Sequence, residues 1–157
     1  MEPAAESRVV LEIDLTKIRS NYEIIAKAVQ PLNVMAVLKA NAYGLGVLPI
    51  AQSLKDAGVN WFGTAELGEA LAIRHLGLPV QILGGVIADE IPAAVANGII
   101  LPITDLETAK LISAESVRQD KVTACHFLID TGMGRLGILR SEAEAIVTEA
   151  VKLPGLN

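Results

Sequence analysis

Val34-Met35-Ala36-Val37-Leu38-Lys39-Ala40-Asn41-Ala42-Tyr43-Gly44-Leu45-Gly46 opens as an apolar run of strand length and breaks into a glycine-rich turn. One lysine, Lys39, sits where the strand ends. An amine at that point has an apolar wall behind it and an open turn ahead. Its long stem can lie along the wall while the nitrogen reaches a pocket. Burial disfavours the charged form of an amine, and the neutral form is the one that acts as nucleophile or base. Lys39 is therefore the first candidate for chemistry, and its burial is an expectation to be met.

Outward from that stretch the chain alternates. Residues 8–14 are rich in Val and Ile and read as a strand. Residues 15–29 follow as a helix, with Asp14 as its N-cap and Leu15, Ile18, Tyr22, Ile25 and Ala26 at helical spacing. Pro31 stops that helix, and 33–38 is a short apolar strand. After the glycine-rich turn, 47–57 reads as a helix with Pro49 in its first turn and Gly58 as its stop. Strands at 60–64, 80–83, 99–103 and 122–129 then alternate with helices at 66–76, 89–96, 105–114 and 141–151. Short, nearly all-apolar strands alternating with helices define an α/β class with a parallel sheet of right-handed βαβ units. The repeat of roughly 20 to 25 residues is that of a barrel's strand–helix unit. About five such units follow the first strand and helix, whereas a closed barrel has eight. The expected fold is a partial (β/α)8 TIM-type barrel. A short open sheet of flavodoxin type is the alternative that would be complete at this length.

Composition narrows the class. Hydrophobic residues make up 52% and aromatics only 3%, so the core is built from Ala, Val, Ile and Leu. That mixture suits parallel strands covered by helices. A net charge of −5 without any run of like charge argues against a nucleic-acid surface. The one cysteine, Cys125, rules out an internal disulfide framework, fits a reducing compartment and reads as apolar filler in a strand. Met1 to Ser7 lacks the pattern of a signal peptide, and no apolar run reaches the roughly 20 residues that span a bilayer. The expectation is a cytoplasmic protein with no membrane partner. His75 and His126 lie apart and lack Cys or carboxylate partners at ligand spacing, so no metal site is expected. The pairs Glu66/Glu69 and Glu142/Glu144 read as solvated helix faces.

The second informative stretch is His126-Phe127-Leu128-Ile129-Asp130-Thr131-Gly132-Met133-Gly134-Arg135-Leu136-Gly137. Its glycines free the backbone to turn tightly. Arg135 then emerges where its planar donors can address a fixed anionic oxygen. Asp130 is expected to brace the loop. In a barrel, functional residues lie at the carboxyl ends of the strands. Lys39, Thr64, Leu83 and the segment from Asp130 to Arg135 all fall at such ends.

Taken together, Ala36-Val37-Leu38-Lys39-Ala40-Asn41-Ala42-Tyr43-Gly44-Leu45-Gly46 and Asp130-Thr131-Gly132-Met133-Gly134-Arg135-Leu136-Gly137 closely resemble alanine racemase. The likeness extends from Glu12-Ile13-Asp14-Leu15 through Glu69-Ala70. It implies that 1–157 is the amino-terminal, pyridoxal-phosphate-binding barrel domain of a fold-type III enzyme, itself incomplete, with a β-rich carboxyl-terminal domain absent. It implies a homodimer in the full-length form, alanine as substrate, and supply of D-alanine for peptidoglycan. By the same resemblance Lys39 is the Schiff-base lysine and exchanges the α-proton of the D-enantiomer. Tyr43 would bond the cofactor phosphate, Arg135 would contact the cofactor's phenolic oxygen, and Val37 and Leu83 would wall the ring. Two positions depart from the family pattern. Leu128 stands where a carbamylated lysine is frequent, so the charge that helps hold the arginine is absent or replaced. Leu45 stands where histidine is common. The family's second base, a tyrosine in the carboxyl-terminal domain, would lie beyond Asn157. Only Tyr22 and Tyr43 occur here. The fragment alone is therefore expected not to racemise alanine. The remaining readings are a racemase of another small amino acid, a non-catalytic pyridoxal-phosphate-binding protein on the same fold, and a decarboxylase sharing it.

Overall fold

A computed structural model describes residues 9–157. The reading of Met1 to Ser7, and Arg8 at the start of the expected first strand, lie outside the described residues.

Helix α1 (Leu15–Ala28) begins where the Asp14 carboxylate accepts the Thr16 and Lys17 N–H groups at 2.9 and 3.3 Å. This satisfies two of the orphan donors of a helix start. Leu15, Ile18 and Tyr22 pack against the core. Ile25, expected on the same face, is exposed instead. Strand β1 (Ala36–Val37) leads into α2 (Lys39–Tyr43), a single turn treated with the site below. Then come α3 (Val47–Asp56), β2 (Phe62–Thr64), α4 (Leu67–Arg74), β3 (Val80–Ile82), a 3-10 turn at Ala88–Glu90 and α5 (Ile91–Ala96). Strand β4 (Leu101–Ile103), α6 (Leu106–Arg118), β5 (Cys125–Phe127), β6 (Ile129–Asp130), β7 (Ile138–Leu139) and α7 (Arg140–Ala150) complete the series.

The strands from β1 to β5 run parallel in chain order. Val37 is in register with Gly63, and Gly63 with Gln81. The β3 edge joins the next strand through Ile82 N–H to the Ile100 carbonyl at 3.0 Å. Pro102 is in register with His126. Side chains alternate across this sheet. Phe62, Val80, Ile82, Leu101 and Ile103 are buried and pack with Ile50, Leu54, Ile73, Ala94, Val95, Ala109 and Ile112 of the covering helices. The helices are held by apolar contact of small and branched side chains, as the aromatic-poor composition requires. The strand order and the helix after each strand bear out a partial barrel. The last residues begin another rung: Thr123 N–H donates to Gly155 O, Cys125 N–H to Asn157 O, and Asn157 N–H to Thr123 O. The open flavodoxin-type alternative is set aside by the strand order, which has no switch point.

Two expectations need correction. The first strand does not form: across 9–14 no ladder exists, and Val9, Val10 and Leu11 are 83, 79 and 71% exposed. Alternation supplies side chains for a sheet, but a strand also needs a neighbour for its backbone, and residues 10–14 join no ladder among the described residues. The strand at 122–129 is also not one element. It breaks at Leu128, whose carbonyl accepts the Ile138 N–H at 2.7 Å and so turns the chain into the short β6–β7 pair.

Candidate functional site at the carboxyl ends of the strands

After Leu38 the backbone takes an uncommon path. Ala40, Asn41, Ala42 and Tyr43 all lie in the left-handed region, with φ of 52°, 54°, 53° and 57°. Each side-chain-bearing residue in that conformation costs about 1–2 kcal/mol. The turn nevertheless closes its own hydrogen bonds, Ala42 N–H to Leu38 O at 2.9 Å and Gly44 N–H to Ala40 O at 2.8 Å. Asn41 Oδ1 accepts the Val47 N–H at 2.8 Å and so anchors the turn to the start of α3. Glu69 reaches in from α4: its Oε1 accepts the Ala40 N–H and its Oε2 the Ala65 N–H at 2.9 Å. Strain of this kind persists only where the surroundings over-determine it, and it clusters at functional sites.

The turn presents Lys39 and Tyr43 to a cleft of about 690 Å³. Its walls are Val37, Leu83, Leu128, Ile129, Met133 and Leu136, with Ala65, Gly84, Asp130, Thr131 and Arg135. Gly63 of β2 sits close behind Leu83: a Cβ there would lie 2.8 Å from Leu83 Cδ1 and 2.9 Å from Met35 Sδ, so those two flexible side chains would have to shift. On the far side the Asp130 carboxylate accepts the Gly132 and Gly134 N–H groups at 2.9 and 3.0 Å. Those backbone donors hold its carboxyl below the usual carboxylate range. Asp130 therefore braces the loop that carries Arg135, as expected. Gly137 closes it: a Cβ at this φ of +119° would lie 2.7 Å from the Leu128 carbonyl oxygen.

The fold thus brings Lys39, Tyr43, Arg135, Val37 and Leu83 to one cleft. Leu128 lines the same cleft, and Arg135 has no ion pair or hydrogen bond among the described residues. Lys39 likewise has no such partner, so no salt link draws it away from the rim. It is exposed, however, which corrects the expectation of burial. Half a barrel walls a strand-end lysine on one side only. Thr64 does not reach the cleft; it is buried, and its hydroxyl donates to Glu66 O at 3.4 Å. Tyr22 lines a different cavity, beside Gly58 and Asn60. His126, in register with Pro102, has both ring nitrogens buried and unpartnered among the described residues. Burial pushes its pKa down. The residue that sequence reasoning missed is Glu69. Read as part of a solvated face, it is half-buried and bridges two strand-end loops. The available signal was its position at the first turn of a helix directly after a barrel strand.

A parallel strand–helix series is that of a barrel-type domain, and its Lys39, Tyr43 and Arg135 fall at the carboxyl rim, where barrels carry their functional residues. The family model for the alanine racemase N-terminal domain matches residues 13–157, and the chain belongs to that family. It is 36% identical over 151 residues to the alanine racemase of Geobacter sulfurreducens, covering 94% of this chain and 40% of that one. Among solved structures, alanine racemase of Clostridium difficile 630 matches with a TM-score of 0.87 at 27% identity, covering 91% of this chain and 38% of the other. A histidine racemase from Leuconostoc mesenteroides subsp. sake matches at 0.81 and 27%, over 90% of this chain and 39% of its own. Alanine racemase from Bartonella henselae, solved with covalently bound pyridoxal phosphate, matches at 0.80 and 27%, over 92% and 42%. The chain spans about 40% of the length of the curated relatives it matches.

Proposed function

We propose that this chain is the cofactor-binding barrel half of a pyridoxal-phosphate-dependent alanine racemase. The observation that carries the reading is the convergence of Lys39, Tyr43 and Arg135 on one cleft with apolar walls. The donor set fits the cofactor: an amine for its aldehyde, a guanidinium and a hydroxyl for anionic oxygens, and Val37 and Leu83 against a flat ring. When bound, pyridoxal phosphate supplies an electron sink for the charge left by a departing α-proton. Lys39 Nζ holds or moves a proton on one face of the α-carbon. Arg135 binds an oxygen through planar donors that no neighbouring carboxylate occupies. Tyr43, held in the left-handed turn, offers its hydroxyl to a phosphate oxygen. Leu128 cannot be carbamylated, so among the described residues the support for Arg135 is the loop that Asp130 organises.

Racemisation requires proton transfer on both faces of the carbon. The cleft supplies one amine, and Tyr22 lies elsewhere. The second base and the rest of the phosphate cup would come from a carboxyl-terminal β domain and a second subunit. The whole protein would act as a homodimer and supply D-alanine for peptidoglycan. A reducing cytoplasm is the compartment that suits a lone, half-buried Cys125. No helix among the described residues is long and apolar enough to cross a membrane. The histidine racemase among the neighbours keeps another amino acid open as substrate. The half-barrel alone also fits a non-catalytic pyridoxal-phosphate-binding protein, because it holds no second base.

Purified 1–157 is mixed with pyridoxal phosphate, trapped with borohydride and digested. The expected result is the cofactor's mass on the peptide containing Lys39, absent in Lys39→Ala. Labelling that persists in the variant removes Lys39 from this role. Alanine turnover is expected to be nil for the chain by itself, and family-like turnover would refute the need for a second domain. In the full-length protein, α-deuterium exchange on alanine separates the racemase from the binding protein.

A further inference from the structure

We propose that Glu69 is a positioning residue, a carboxylate clamp that holds the Lys39 turn in its left-handed form. The inference rests on the reading of the cleft above for its chemical consequence, not for its geometry. Four consecutive side-chain-bearing residues in the left-handed region do not hold themselves. Asn41 braces the turn locally, to Val47 six residues on. Glu69 is the brace that comes from another strand–helix unit, 29 residues away.

Its two oxygens take two N–H groups from neighbouring strand ends, Ala40 after β1 and Ala65 after β2. The tie extends to a third strand end. A Cβ at Gly84, after β3, would lie 2.3 Å from the Ala65 carbonyl oxygen, so the two loops are in direct backbone contact. Glu69 therefore locks the residue next to Lys39 to two loops that line the same cleft. An ionised carboxylate is acceptor-only and suits two converging donors. A glutamine has the same shape but turns an NH₂ donor toward one of those N–H groups. Glu69→Gln thus separates the clamp from simple packing.

The test compares wild type, Glu69→Gln and Glu69→Asp by amide hydrogen exchange and by borohydride trapping at Lys39. In Glu69→Gln, exchange at 40–44 should be at least about tenfold faster, while core amides such as Val80 and Ile82 stay within about twofold. The trapping rate at Lys39 should fall at least about tenfold with an unchanged product mass. Wild-type protection of the turn in Glu69→Gln overturns the clamp, as does an equal rise of exchange throughout the core. Should Glu69→Gln not fold, Glu69→Asp decides: it keeps the charge but is one methylene short of spanning both donors. Wild-type-like exchange at 40–44 in that variant overturns the clamp. If wild type traps no cofactor while Glu69→Gln loosens the turn, the proposed function fails and the clamp stands.

Discussion

At the scale of single residues, burial decides which groups can react. Cys125 lies in β5, and burial pushes its thiol up to about 12. Against the reference value of 9.0 this lowers the thiolate population at neutral pH on the order of 10³-fold. Iodoacetamide should alkylate the folded chain that much more slowly than the unfolded chain, with mass spectrometry as the readout. His126 is depressed for the same reason. Its folded form stays neutral where the unfolded form binds a proton, so stability is full above the ordinary histidine range and falls as pH drops through it. In His126→Phe, the slope of stability against pH between about 6.5 and 5 should flatten, as followed by urea titration. A slope identical to wild type assigns the acid sensitivity elsewhere.

At the scale of elements, the site depends on turns more than on strands. Asn41 serves as a substitute cap for α3, because Gly46 at its start has no side chain to offer. Asn41→Ala should cost about 1 kcal/mol in a urea titration, the usual loss for a removed cap. Gly44 ends the left-handed turn at φ +84°, and a Cβ there would meet nothing within 4 Å. Gly44→Ala therefore isolates backbone strain from crowding, and about 1–2 kcal/mol of destabilisation is expected. A neutral result in thermal melts would mean that the turn relaxes to another conformation.

At the scale of the whole molecule, the series of described strands is not closed into a ring: β1 pairs with β2 and β5 with β4, and no ladder joins β1 to β5 among the described residues. On one side, 155–157 already pair with Thr123 and Cys125 through three backbone hydrogen bonds. Removing 155–157 leaves two strand donors and one acceptor without protein partners. Loss of about 2–3 kcal/mol is expected at about 1 kcal/mol per bond, together with faster exchange along β5. Unchanged exchange at Thr123 and Cys125 would mean that the last rung contributes nothing to the sheet. Val9, Val10 and Leu11 remain exposed ahead of α1.

Strand–helix alternation, the placing of Lys39 and Arg135 at strand ends, the Asp14 cap and the Asp130 brace were all legible in the residues. Each rests on local spacing, and local spacing sets periodicity, caps and turns. What the sequence could not convey is non-local. Residues 8–14 alternate like a strand, yet 10–14 join no ladder among the described residues. Glu69 carries the charge pattern of a solvated face, yet one of its two partners, Ala40, stands 29 residues away and is brought to it only when adjacent strands align their ends. Lys39 was expected to be covered, and is not, because cover at a barrel rim comes from walls that half a barrel does not supply. The sequence by itself determined which residues stand at the strand ends; tertiary structure decided which of them meet, because hydrogen bonds and burial depend on distances that the chain acquires only by closing on itself.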